Sequence, residues 1–473
     1  MLETEVSTPT EMTASSKGLY CNSGVGPSLL PIDIGHKDYF GLVDPDTAFW
    51  TLILKEKLAD TLSDSNFIAT CKKKAEEFMG EMEMLRFGLK PTAVYFNPTE
   101  QCNLNCTYCY IPENMRKEGR HMTEEELLSA LEKLKSYFSK TITDERLPQI
   151  IFHGSEPMLN RKAVFKGIDL YRDDFKFGIQ TNATLLDDEM IDFIKSRNVS
   201  IGLSLDGPVA SIADKTRVNW AGEGVFEKVD NIIGKLKGYH GFSVICTVTT
   251  ENMEYLSQVV DYLHEREVKS CLLNMVRCTM PGSLTVRPDD ASVARHFLAA
   301  LDRSFELYQE TGRKLVVGNF ANILISIIAP TARRLMCDIS PCGGGRAFFA
   351  LAPNGDLFPC SEFVGLPKFR GGNLFSDEVD SVLTSEPFKL VTERKVEDIK
   401  SCSRCAIRHF CGSPCPAEAH EINGGMDKIG AFCEFYEEQA RYAMRLIADG
   451  REESFLWDGW DKDTVTTFDA VML

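Results

Sequence analysis

Glu100-Gln101-Cys102-Asn103-Leu104-Asn105-Cys106-Thr107-Tyr108-Cys109-Tyr110 carries three cysteines spaced C-x3-C-x2-C, with an aromatic residue just before the third. A strand expected over Thr92–Asn97 leads into it. Three thiolates on one short loop can hold three irons of a cubane cluster, which ordinarily takes four cysteine ligands. The fourth iron is then open to a substrate, as the open position of a catalytic zinc is. A structural zinc knuckle would instead pair C-x2-4-C units and close with a fourth Cys or His. Near this loop only His121 could complete such a set.

Outward from the loop the pattern is regular. Strands are expected at Thr92–Asn97, Gln149–His153, Phe175–Thr181, Val199–Leu205, Phe242–Thr249 and Cys271–Val276. Helical periodicity lies between them, at Glu124–Ser139, Asp187–Ser196, Val225–Lys237 and Met253–Glu265. The first of these helices has Thr123 as its cap and Glu126 three residues on, a capping box. Strands alternating with helices predict parallel β/α units. A closed eight-stranded barrel fits such a pattern, but six strands are legible. A helical stretch follows over Asp289–Ile328, and a last helix over Glu434–Asp449. Residues 18–90 contain a Lys- and Glu-rich helix near Asn66–Arg86, and no fold is assigned to the rest of that segment.

The chain has 473 residues, 44% hydrophobic and 26% charged, the profile of a globular protein with more than one domain. Residues 1–17 are polar and Ser/Thr-rich, without a basic start or an apolar core. That excludes a secretory signal and predicts a disordered N-terminus in a cytoplasmic protein. No apolar run is long enough for a membrane span. A net charge of −17 argues against a nucleic-acid surface. Sixteen cysteines without an export signal read as metal ligands, not a disulfide framework. Eleven of them fall in two groups, Cys102–Cys109 and Cys337–Cys433. Cys246 sits in an apolar run as a core residue, and Cys271 and Cys278 flank a strand.

The Cys102–Cys109 loop resembles the cluster loop of the radical S-adenosylmethionine (SAM) enzymes. The resemblance implies that SAM fills the open iron and is cleaved to a 5′-deoxyadenosyl radical. It also implies an open partial (β/α)6 barrel, with the site at the carboxyl ends of the strands. His153-Gly154-Ser155-Glu156-Pro157 is similar to the family's Gly-Gly-Glu-Pro loop, with Ser155 in the second glycine position. By that resemblance Gly154, Ser155 and Glu156 bind the amino group of SAM, since an ammonium seeks a carbonyl and a carboxylate. Asn182 and Ser204 would meet the ribose, and Tyr108 would lie beside the adenine. Asp206 lines the same region by resemblance, or serves as a turn residue. Arg217 matches the arginine that pairs with the SAM carboxylate, a task suited to a planar guanidinium; its alternative is a solvated surface position.

Downstream, Cys342, Gly355 and Cys360 give C-x12-G-x4-C. Cys402, Cys405, Cys411 and Cys415 then give C-x2-C-x5-C-x3-C, and Cys433 follows. This resembles the SPASM extension of radical SAM enzymes, which carries two auxiliary clusters. Paired zinc ribbons are the plainer alternative. The family's interleaved ligation implies that Cys337, Cys342, Cys360 and Cys415 hold the first auxiliary cluster. Cys402, Cys405, Cys411 and Cys433 would hold the second. The cofactors implied are SAM and three [4Fe-4S] clusters, with an electron donor such as flavodoxin or ferredoxin.

The expected domains are an N-terminal extension (18–90), the partial barrel (91–310), a helical connector (311–336), the SPASM region (337–435), and a C-terminal helix with an acidic tail (436–473). Enzymes of this type act mostly on peptides and proteins. The expected function is a maturase that installs a cross-link, foremost a thioether, in a ribosomally made precursor peptide. The extension would then recognise a leader segment, or simply pack as an amphipathic addition. Formylglycine formation in sulfatases is the nearest alternative. Sulfatase maturases carry an Asp directly after the third ligand of the first auxiliary cluster. Here Cys360 is followed by Ser361 and Glu362, so Glu362 is the candidate base. A non-catalytic iron–sulfur electron carrier is a third reading, but it has no need of the segments at Gly154, Ser204 and Arg217.

Overall fold

The computed structural model describes residues 29–461. The predicted disordered N-terminus and most of the acidic tail lie outside them. Within the extension, β1 (Leu30–Ile32), β2 (Tyr39–Val43) and β3 (Trp50–Leu54) form an antiparallel sheet in that order. The sheet is tied to the far end of the chain. Trp50 Nε1 donates to Ile327 O at 2.6 Å, and Arg445 Nη1 donates to Ile34 O at 2.6 Å. The expected Lys- and Glu-rich helix is Ser65–Glu83, capped by Asp64, which accepts from Asn66 N at 2.8 Å.

The six expected strands are all present. They are β4 (Ala93–Phe96), β5 (Gln149–Phe152), β6 (Lys176–Thr181), β7 (Ser200–Ser204), β8 (Phe242–Val248) and β9 (Ser270–Met275), parallel and paired in sequence order. Burial on both faces explains why a strand such as Gln149–Phe152 reads as an uninterrupted buried run. The register pairs Phe96 with Phe152 and Phe152 with Ile179. The loops that follow these strands therefore leave the sheet on one rim.

The sheet also extends beyond the six. β10 (Val316–Val317) pairs parallel to β9, and β11 (Phe348–Leu351) pairs parallel to β4. β12 (Asp356–Phe358) and β13 (Gly372–Asn373) follow β11 antiparallel. The order is β10-β9-β8-β7-β6-β5-β4-β11-β12-β13, an open sheet of ten strands. β11 fastens the cysteine-rich region directly onto the first barrel strand.

Two helical expectations change. The stretch Asp289–Ile328 is two helices, Asp290–Thr311 and Gly318–Ile328. Gly312, at φ 71°, ends the first in the left-handed conformation, and β10 intervenes. A further helix, Arg161–Tyr171, is absent from the sequence reading. A Cβ on its Gly167 would lie 2.8 Å from Leu127 Cδ2 and Leu131 Cδ1. The glycine that weakens the helical signal is what lets this helix approach Glu124–Thr141. Among the described residues no helix is long and apolar enough to cross a membrane.

Candidate functional site

The cluster loop is held mainly by its backbone, and Cys102 Sγ accepts from Leu104 N at 3.4 Å. Asn105 N donates to Val218 O at 2.7 Å and Thr107 N to Thr216 O at 3.0 Å, so the loop runs against the Arg217 segment. Arg116 Nε donates to Ile111 O at 3.0 Å, and Trp220 Nε1 donates to Cys102 O at 2.8 Å. Cys102, Cys106 and Cys109 all line one cavity of about 360 Å³.

Burial pushes the Cys102 thiol up to about 12 and Cys106 to about 11. Thiolate is the ligating form, so a cationic iron–sulfur core is what would offset that burial. A cubane separates its ligand sulfurs instead of gathering them on one ion. Among the described residues no group of three His, Cys, Asp or Glu is placed to hold a single metal ion. His121 is engaged elsewhere, with Nε2 2.8 Å from Gln101 Oε1.

The predicted SAM residues divide into those that face the cavity and those that brace it. Gly154, Ser155, Asn182, Ser204, Tyr108 and Arg217 line it. Gly154 has φ 104°, and a Cβ there would stand 2.6 Å from Asn97 Cγ, so only glycine fits. Ser155 Oγ donates to Glu100 O at 2.5 Å, which ties this loop to the cluster loop. Arg217 Nη1 donates to Tyr108 Oη at 2.6 Å, and Tyr108 donates to Asp206 Oδ2 at 2.5 Å. Arg217 Nε is buried without a partner, a free donor suited to a carboxylate ligand.

Glu156 and Asp206 do not line the cavity and are fully buried. Glu156 accepts from Met158 N at 3.0 Å, Thr181 Oγ1 at 2.7 Å and Asn182 N at 2.8 Å, so it clamps its loop to the end of β6. Asp206 accepts from Thr247 N at 2.8 Å as well as from Tyr108. Both carboxylates are spent on the protein's own donors; those of Asp206, Thr247 N and Tyr108 Oη, lie far along the chain and are not the local contacts of a turn residue. Asn182 also spends its amide, donating to Asn103 Oδ1 at 2.9 Å and accepting from Thr184 N at 3.0 Å.

Cys337, Cys342, Cys360 and Cys415 line the same cavity. Cys402, Cys405, Cys411 and Cys433 do not, and burial with mutual repulsion among them raises the Cys411 thiol well above its ordinary value. Between the two sets lies Arg394, whose guanidinium donates to Ser413 O at 3.0 Å, Met426 O at 2.8 Å and Lys428 O at 2.8 Å. Sequence reasoning missed this residue, because a buried arginine that serves backbone carbonyls and one hydroxyl, Ser413 Oγ at 3.0 Å, has no spacing signature.

Glu362 also lines the cavity, and its Oε2 has no partner. Burial pushes its carboxyl up to about 7, against the pull of Arg277. Arg277 lies 3.8 Å from Glu362 Oε1 and 3.4 Å from Glu418 Oε2. Arg277 and Glu418 were not found from sequence either; they come from distant segments and meet only here. His153 packs edge-on against Tyr95, with ring centroids 5.2 Å apart, and its Nδ1 is unpartnered.

Comparison with known proteins settles the family. A model described as the radical SAM superfamily matches residues 96–263. A second, described as an iron-sulfur cluster-binding domain (SPASM), matches 342–406. An uncharacterized protein of Archaeoglobus fulgidus is 36% identical over 422 residues, covering 89% of this chain and 95% of that one. The chain belongs to the radical SAM superfamily. As a radical SAM enzyme with a SPASM region it uses SAM, a [4Fe-4S] cluster and auxiliary clusters. A cysteine-type anaerobic sulfatase-maturating enzyme of Clostridium perfringens strain 13 is 24% identical over 394 residues, spanning 76% of this chain and 98% of that enzyme. A solved structure of native anSMEcpe with bound AdoMet and Cp18Cys peptide shares the radical SAM fold. Its TM-score is 0.64 at 21% identity, over 77% of this chain and 99% of that one.

Proposed function

We propose that this radical SAM enzyme removes a hydrogen atom from a side chain of a peptide or small protein bound in the cavity between its two cysteine groups. The observation that carries the reading is that single cavity. It joins Cys102, Cys106 and Cys109 to Cys337, Cys342, Cys360 and Cys415, with Glu362 on its wall. When bound, SAM and its cluster supply the 5′-deoxyadenosyl radical.

The chain's own residues bind and orient. Arg217 Nε is the donor for the SAM carboxylate, and the Gly154–Ser155 loop receives the amino group. Ser204 meets the ribose, and Tyr108 stands beside the adenine. Glu362 accepts the proton released as the substrate radical gives up one electron, which the auxiliary clusters would take when bound.

Two products are compatible with these steps. Formylglycine, from a Cys or Ser side chain, is supported by the sulfatase-maturating relative and by Glu362. Ser361 removes the acid next to Cys360, yet Glu362 reaches the cavity by its own route. A thioether cross-link is supported by the extension, whose β1 and β3 flank β2 with outer edges able to accept a peptide strand.

The test is anaerobic incubation of reconstituted protein with SAM, dithionite and a Cys-x-Pro-x-Arg peptide, followed by mass spectrometry. Replacement of the thiol by a carbonyl oxygen marks formylglycine, and loss of two hydrogens marks a thioether. Absence of 5′-deoxyadenosine with this and with other peptides would overturn the reading. Glu362→Gln is expected to lower product formation about 100-fold, the scale of a lost general base.

A further inference from the structure

Gln439 lies on the helix Cys433–Ala448 and is 1% exposed. It stands three residues after Tyr436 and four after Phe435, and all three line the cavity. Neither its Oε1 nor its Nε2 has a hydrogen-bond partner. Each buried polar atom left in this state costs about 1–3 kcal/mol, so the position calls for a ligand.

Two other amides on the cavity wall show the contrast. Asn319 accepts from Leu273 N at 3.1 Å and donates to Leu273 O at 3.0 Å. Asn322 accepts from Leu335 N at 2.8 Å and donates to Asp338 Oδ2 at 2.8 Å. Both are spent on the protein's own chain, whereas Gln439 is uncommitted.

The cations on this side are already held by carboxylates. Arg277 is held between Glu362 and Glu418, and Asp338 lies 3.5 Å from Arg333. An anionic ligand would find no uncommitted cation in these two groups. A group that offers one donor and one acceptor on the same side suits a carboxamide. The N–H and C=O of one extended peptide residue do so, as between neighbouring strands.

We propose that Gln439 is a substrate-binding residue that holds the backbone N–H and C=O of one extended substrate residue beside the first auxiliary cysteine set. The inference rests on the peptide-substrate reading above and assigns that substrate a contact. Gln439 Oε1 accepts the N–H, and Nε2 donates to the C=O.

The test uses cluster-loaded protein and two small probes, N-acetylalanine methylamide and O-acetyllactate methylamide, which differ only in the N–H that Oε1 would accept. Dissociation constants come from ligand-observed NMR titration. The wild type is expected to bind the amide about tenfold more tightly, the scale of one satisfied hydrogen bond, and Gln439→Met to bind both alike. Equal affinities in the wild type overturn the inference, and that measurement needs no variant to fold. A preference that survives in Gln439→Met overturns it too. So does a Gln439→Met change confined to the electron paramagnetic resonance of the reduced auxiliary clusters, which would give the amide to the cluster. Turnover of a Cys-x-Pro-x-Arg peptide bears on the maturase reading alone. A wild type that keeps the amide preference but turns over no peptide fails that reading while this contact stands.

Discussion

Arg217 shows how much of the site rests on single side chains. One nitrogen holds Tyr108, whose hydroxyl is held in turn by Asp206, and Nε is left for a ligand. Lysine is a point charge and cannot serve both directions. Arg217→Lys is therefore expected to weaken SAM binding at least tenfold, read by equilibrium dialysis on reconstituted protein. His153 gives a second residue-level test. Burial pulls its ring down to about 4 from an ordinary 6.5. The unfolded chain then takes up the proton first on acidification. The stability contributed by the neutral ring is complete above about pH 6.5 and is lost as pH falls toward 4. Between pH 7 and 5 the loss is at most about 2 kcal/mol. His153→Gln should flatten that slope in denaturant titrations.

At the scale of elements, the loops after β4, β5, β6 and β7 matter most, because a shared register brings them to one rim. The loop after β5 depends on Gly154, where a side chain would strike Asn97. Gly154→Ala should cut SAM cleavage at least tenfold while thermal unfolding shifts little, since the clash lies in a loop and not in the core. The six strands were legible because each is a short apolar run between turn residues. Glu124–Thr141 was legible through Thr123 and Glu126, whose reciprocal capping is present. β10, of two residues, carries too few side chains for a periodic signal. β11 hides among cysteines and glycines, and its strand character comes from pairing with β4.

For the whole molecule, the cysteine groups link folding to metal. With three cubanes the reconstituted chain should hold roughly twelve irons, and the Cys102/Cys106/Cys109→Ala variant roughly eight. That variant should make no 5′-deoxyadenosine. Chelation should lower the unfolding temperature, because ligand binding to the folded state alone adds to its stability. The extension takes part in the same global packing. It meets the helix Gly318–Ile328 through Trp50 and the final helix through Arg445, which a local reading of residues 18–90 could not reveal.

By itself the sequence determined the parallel β/α core, both cysteine groups and the loops at Gly154, Asn182, Ser204 and Arg217 that line the cavity. Each is local: a period, a cap or a fixed spacing along the chain. Only the tertiary structure decided that one cavity joins the first cysteine group to four of the second, and that Glu156 and Asp206 brace it from behind. It alone brought Arg277, Glu362, Glu418 and Gln439 to that region. Those outcomes depend on β11 closing onto β4 and on the last helix folding back against the barrel. Such contacts span hundreds of residues, and no periodicity records them.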